Sequence, residues 1–104
     1  GSAVYAATKS FLNSFSVSLQ AEVGQYDIRV QSLCPGFTHT EIHDVPTMHG
    51  FDKSRTPDAL WMSPQEVVAG SLAALDSGDV LVVPGEVNRA MVVDALDKES
   101  ALFR

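Results

Sequence analysis

The sequence predicts an α/β fold with a parallel sheet, in the order helix, strand, loop, helix, strand, helix. Three observations carry that expectation. Residues 3–23 form a long Ala-rich stretch with apolar side chains every fourth position. Two short strand-like runs, 28–34 and 80–83, are each closed by Pro-Gly. Between them lies a helical pattern at 64–76, the crossover that parallel neighbours need.

The first element is read as a helix because Phe11, Phe15, Leu19 and Val23 recur at a spacing of four, with Leu12 beside them. Gly24 is the expected stop, since glycine takes the left-handed cap conformation without a steric cost. Residues 28–34, Ile-Arg-Val-Gln-Ser-Leu-Cys, have the β-branched and apolar character of a strand, and Pro35-Gly36 ends it. Residues 36–62 show no period and contain Pro46, Gly50 and Pro57, with a helical turn expected near 58–61. Loops of that length are typical of lids and binding segments.

Ser63-Pro64-Gln65-Glu66 then reads as a helix start. Ser63 is the cap, Pro64 suits the first helical position, and Glu66 completes a capping box. The helix continues through Val67, Val68, Leu72 and Leu75 and stops before Gly78. Residues 80–83, Val-Leu-Val-Val, are wholly apolar, as expected of a strand covered on both faces. Pro84-Gly85 closes it, and 87–97 is read as a last helix. Two short strands are little sheet for a striped helix of some twenty residues to cover. The chain reads as a βαβ series entered at its first helix.

Composition narrows the function classes. Among 104 residues, 45% are hydrophobic and 19% charged, which fits a globular domain and not a disordered segment. A formal net charge of −6, with no run of Lys or Arg, repels phosphate backbones, so no nucleic-acid partner is expected. No apolar run approaches the ~20 residues that span a bilayer, and no leader pattern is visible, so no membrane partner is expected. The lone Cys34 excludes an internal disulfide and fits a reducing, cytoplasmic setting.

The strongest chemical signal is Tyr5-Ala6-Ala7-Thr8-Lys9. Positions i and i+4 share a helix face, so phenol and ammonium project side by side. A free tyrosine, with a pKa near ~10, is a poor base at neutral pH. A neighbouring cation favours the phenolate, which suits the pair to moving a proton to or from a carbonyl or hydroxyl oxygen. Taken alone, the same five residues describe an ordinary exposed helix face.

Their context resembles the short-chain dehydrogenase/reductase family over nearly the whole chain. Tyr5-Ala-Ala-Thr-Lys9-Ser10-Phe11 is similar to that family's active-site helix. Ile28-Arg-Val-Gln-Ser-Leu-Cys-Pro35-Gly36 is similar to the strand and turn that follow it. In Phe37-Thr38-His39-Thr40, the family's threonine five residues beyond the proline is matched by Thr40. Ser63-Pro64-Gln65-Glu66-Val67-Val68 and Val82-Val83-Pro84-Gly85 resemble the later helix and last strand.

The resemblance implies the C-terminal portion of a Rossmann-like doubly wound parallel sheet, one partial domain over 1–104. It implies Tyr5 as proton donor or acceptor and Lys9 as a hydrogen-bond donor to the nicotinamide ribose that favours the Tyr5 phenolate. Pro35 and Gly36 would shape the nicotinamide wall, the Thr38 backbone and Thr40 side chain would contact the carboxamide, and 37–62 would be the substrate loop. NAD(P) is the implied cofactor, a small carbonyl compound or alcohol the implied substrate, and a homo-oligomer a further expectation.

Departures from the family pattern weigh against a self-sufficient site. The glycines at 1, 24, 36, 50, 70, 78 and 85 contain no close pair to build a Gly-rich nucleotide turn. The residue that selects NAD or NADP, the active-site Ser and the upstream relay Asn also have no counterparts. Ser2 is too close to Tyr5 to serve.

Other constellations carry blander readings. His39, His43 and His49 beside Glu41, Asp44 and Asp52 are too loosely spaced for a metal site and read as a polar loop. Cys34 reads as a small core residue. Phe37, Met48, Trp61 and Met62 would either line an apolar substrate pocket or pack beneath the loop. Two functional readings follow. One is an NAD(P)-dependent oxidoreductase interconverting a carbonyl and an alcohol. The other is a truncated non-catalytic fragment contributing only packing or an oligomer interface.

Overall fold

The computed structural model describes residues 2–39 and 53–103. Helix α1 covers Ser2–Val23, α2 Pro64–Ala74 and α3 Glu86–Ser100. Four two-residue strands lie between them: β1 (Ser32–Leu33), β2 (Phe37–Thr38), β3 (Trp61–Met62) and β4 (Leu81–Val82). Short 3₁₀ turns occupy Gly24–Tyr26, Lys53–Arg55 and Asp58–Leu60.

The two strand-like runs pair in parallel, with Ser32 opposite Leu81 and Leu33 opposite Val82. The Ser32 N–H donates to the Val80 carbonyl at 2.7 Å, and the Cys34 N–H to that of Val82 at 2.8 Å. The ladder is shorter than the runs at 28–34 and 80–83. Over residues 28–30 the place of a neighbouring strand is taken by one side chain. The Gln20 amide donates through Nε2 to the Ile28 carbonyl at 3.1 Å and accepts the Val30 N–H at 2.7 Å through Oε1. A primary amide carries the donor and acceptor of a peptide group, so it satisfies two backbone groups of an extended segment as a ladder residue would.

That contact identifies the face of α1 turned to the sheet. The half-buried residues of α1 are Asn13, Ser16, Leu19, Gln20 and Val23, at helical spacing and largely polar. The stripe read from the sequence lies mostly off this face. Phe11 and Phe15 are 65% and 52% exposed and stack on each other at 6.0 Å between ring centroids. The end of α1 also differs from expectation. Gly24 opens a 3₁₀ turn, and the left-handed residue is Asp27, at φ 60°, whose N–H closes on the Gly24 carbonyl at 3.1 Å. The tighter turn carries the chain three residues further, and Asp tolerates the left-handed region better than most side chains.

Helix α2 begins with the capping box. Ser63 Oγ accepts the Glu66 N–H at 3.1 Å, while a Glu66 carboxylate oxygen accepts the Ser63 N–H at 3.2 Å. Gln31 and Ser71 tie α2 to β1, the Ser71 hydroxyl donating to the Gln31 amide oxygen and the Gln31 amide to the Ser71 carbonyl at 3.1 Å. The apolar core of the described residues is Val67 of α2 and Val82 of β4. Leu81, on the other face of β4, is 46% exposed, so this strand is covered on one face and not on two.

A second parallel ladder lies where the sequence shows only loop. Phe37 pairs with Trp61 and Thr38 with Met62. Helix α3 buries one residue, Asn88, and carries an exposed Asp94–Lys98 ion pair at 2.6 Å that adds little stability. Among the described residues no helix is long and apolar enough to cross a membrane.

Candidate active site

Helix α1 holds Tyr5 and Lys9 one turn apart. The Lys9 ammonium lies 5.5 Å from the centroid of the Tyr5 ring, within cation–π range, and Tyr5 is 65% exposed. Among the described residues no carboxylate pairs with Lys9, which leaves its charge directed at the phenol.

The helix is located against β1 by two amides. Gln20 meets Ile28 and Val30, and Asn13 Oδ1 accepts the Ser32 hydroxyl at 2.7 Å and the Cys34 thiol at 3.5 Å. Helix and strand therefore run antiparallel. The step from Gln20 to Asn13 covers about 10 Å of helix, close to the roughly 13 Å of strand from Val30 to Cys34. Lys9 and Tyr5 lie about 6 and 12 Å further along the axis, within about 80° of Asn13 in rotation. They overhang the carboxyl end of β1, the edge at which open α/β sheets bind ligands.

The Pro35-Gly36 turn begins at that edge. Pro35 is exposed and Gly36 half-buried. The Thr38 hydroxyl donates to the Gly36 carbonyl at 3.1 Å and closes the turn. In the β2–β3 ladder the His39 N–H donates to the Met62 carbonyl at 2.9 Å. Backbone groups alternate along a strand, so the Thr38 N–H and C=O point away from β3. Thr40 lies outside the described residues, as do His43, His49, Glu41, Asp44, Asp52 and Met48. Phe37 and His39 share a face and flank Trp61, at 5.4 and 4.8 Å between centroids. Met62 turns instead toward Asn88, whose Nδ2 lies 3.5 Å from its sulfur. A groove of 680 Å³ between α2, β4 and α3, lined by Gly70, Pro84 and Arg89 among others, contains none of the predicted site residues.

Residues 1–47, which hold Tyr5, Lys9, Pro35 and Gly36, match the family model described as short chain dehydrogenase. The chain belongs to the short-chain dehydrogenase family. Membership implies a Rossmann-like α/β fold, with which the parallel β1–β4 pair is consistent. Two curated relatives extend the likeness beyond residue 47. Carbonyl reductase family member 4 of Xenopus tropicalis is 37% identical over 98 residues, 88% of this chain and 40% of that protein. A 3-oxoacyl-[acyl-carrier-protein] reductase of Rattus norvegicus is 37% identical over 89 residues, 82% of this chain and 37% of that protein. The chain thus spans about two fifths of the length of these relatives. No solved structure matches it.

Three residues that position this edge escaped the sequence reading: Asn13 and Asn88 at the edge itself, and Gln20 upstream of β1. Asn13 carried one usable signal, since it continues the Tyr5–Lys9 face by a further four residues. Asn88 had another, as the one amide of the last helical stretch, three residues after Pro84-Gly85.

Proposed function

We propose that this chain forms the C-terminal portion of a doubly wound sheet and the nicotinamide end of an NAD(P)-dependent oxidoreductase site. The activity interconverts a carbonyl and an alcohol. The observation that carries the proposal is the Tyr5–Lys9 pair, one turn apart on the helix that Asn13 ties to the carboxyl end of β1.

The residues fit one end of the cofactor. A phenol, an ammonium and the outward-facing Thr38 backbone suit a ribose hydroxyl and a carboxamide. Nothing in the sequence supplies a Gly-rich cradle for the diphosphate. When bound, the nicotinamide supplies the hydride acceptor or donor. In carbonyl reduction the Tyr5 hydroxyl gives its proton to the substrate oxygen; in alcohol oxidation the Tyr5 phenolate accepts the hydroxyl proton. Lys9, with its ammonium 5.5 Å from the centre of the Tyr5 ring, would hold the nicotinamide ribose by a hydrogen bond. The substrate is a small ketone, aldehyde or secondary alcohol, met on the side of the segment after Gly36. A cytoplasmic setting and a homo-oligomeric assembly are part of the same proposal.

The test is a chimera in which these residues replace the matching segment of the frog carbonyl reductase relative. The expected result is NADH or NADPH oxidation with a carbonyl panel that Tyr5→Phe abolishes. Equal turnover by the chimera and its Tyr5→Phe variant would overturn the assignment. The 104 residues by themselves should show no turnover, because nothing in them holds the diphosphate and keeps hydride donor and carbonyl in register.

A further inference from the structure

Both strands of the β1–β4 pair end in Pro-Gly, and because the pair is parallel both turns emerge at the same edge. One side chain fills the space between them. Asn88, on the first turn of α3, is 8% exposed and is the buried polar residue of the described chain. Its Nδ2 donates to the Pro84 carbonyl at 3.4 Å and lies 3.5 Å from the Met62 sulfur, so its amide also reaches the β2–β3 ladder.

The two glycines show how closely the turns approach this amide. A Cβ on Gly36 would overlap the Asn88 carboxamide carbon, oxygen and nitrogen, inside any real contact distance. A Cβ on Gly85 would lie 3.2 Å from Asn88 Nδ2 and 3.2 Å from the Met62 sulfur. Gly36 is therefore glycine at this position because its backbone rests on the face of the amide. A buried amide is retained where its partners fix it. Here the partners are two turns and a short sheet with little apolar core around them.

We propose that Asn88 is a positioning residue, a clamp that sets the place of the Pro35-Gly36 turn at the carboxyl edge of the sheet. The inference rests on the proposed function for its consequence: a shifted turn moves the nicotinamide wall and the outward-facing Thr38 backbone with it. Asn88 acts through Gly36 and touches no reacting atom.

A double-mutant cycle in the chimera, where the relative's remaining segment completes the sheet, tests the clamp without cofactor. Gly36→Ala should lower the urea midpoint, or abolish folding by circular dichroism, when Asn88 is present. In an Asn88→Ala background the same substitution should leave the midpoint unchanged, because the overlapping amide is gone. Asn88→Leu, which keeps the bulk, should not rescue. Amide resonances of Gly36, Phe37 and Thr38 should shift in Asn88→Ala and stay in place in Ser77→Ala, a control in the turn after α2 whose partners are Ala74 and Asp79. Additive losses, failure of Asn88→Ala to restore folding to Gly36→Ala, or unmoved Gly36–Thr38 resonances would overturn the clamp. An inactive chimera with a coupled cycle would count against the oxidoreductase reading and leave the clamp standing. An active chimera with an additive cycle would do the reverse.

Discussion

Tyr5 is the residue whose chemistry and packing separate most cleanly. With 65% of its surface in water and its neighbouring cation 5.5 Å from the ring, its hydroxyl is spare as far as folding is concerned. Tyr5→Phe should change the stability of the chimera by no more than about 0.5 kcal/mol in urea unfolding. In the chimera it should lower kcat/KM by roughly 10²–10⁴, the usual worth of a general acid or base. Asn13 is the opposite case. Asn13→Ala strands the half-buried Ser32 hydroxyl and should cost about 1–3 kcal/mol, whereas Ser14→Ala, on the exposed side of the same turn, should be neutral. The Tyr5–Lys9 relation was legible because i,i+4 spacing is local. Gln20 was not, and Asn13 and Asn88 were marked only by position, because an amide announces no partner and theirs lie on other elements.

At the scale of elements, local chemistry decided what could be read. The Ser63–Glu66 capping box is a four-residue signal, and both of its hydrogen bonds are present. Ser63→Ala should lower the stability of the chimera by about 1 kcal/mol and Ser63→Gly by a few tenths, which urea midpoints can resolve. The parallel pairing of the two Val- and Leu-bearing runs was readable from their composition and the helix between them. The ladder of Phe37–Thr38 with Trp61–Met62 was not, since two residues are too few to show a period of two. Helix α1 misled in a physical way. Its phenylalanines gave the stronger period, yet it meets β1 through Asn13 and Gln20, whose hydrogen bonds leave no mark in a hydropathy pattern.

The whole chain exposes more surface than its mass warrants. It shows 7995 Å² to solvent, where a compact monomer of its mass would show about 5700 Å². Its radius of gyration is 15.5 Å, against about 13 Å for a compact domain of this length. The excess is of the order buried in permanent interfaces. Its apolar part includes Phe11, Phe15, Val4 and Leu12 on α1 and Met91, Val93 and Leu96 on α3. The isolated chain should therefore self-associate or melt without a sharp transition. Size-exclusion chromatography with thermal melting checks this. A monodisperse monomer with a cooperative melt above the ordinary mesophilic range (~45–65 °C) would contradict it. Phe11→Gln with Phe15→Gln should shift the elution toward monomer while leaving α2 and its cap unchanged.

Gln20 and Tyr5 sit near opposite ends of one rod. Fifteen residues of helix place them about 22 Å apart along the axis. The amide that grips Ile28 and Val30 is thus a locating pin, and the phenol is the tip of the lever it holds. A tilt of about 5° around that pin would carry the tip about 2 Å sideways. Displacements of that size cost reacting groups their alignment. Gln20→Leu would release the pin without touching the tip. In the chimera it should reduce turnover chiefly through kcat, with Tyr5 and Lys9 both intact.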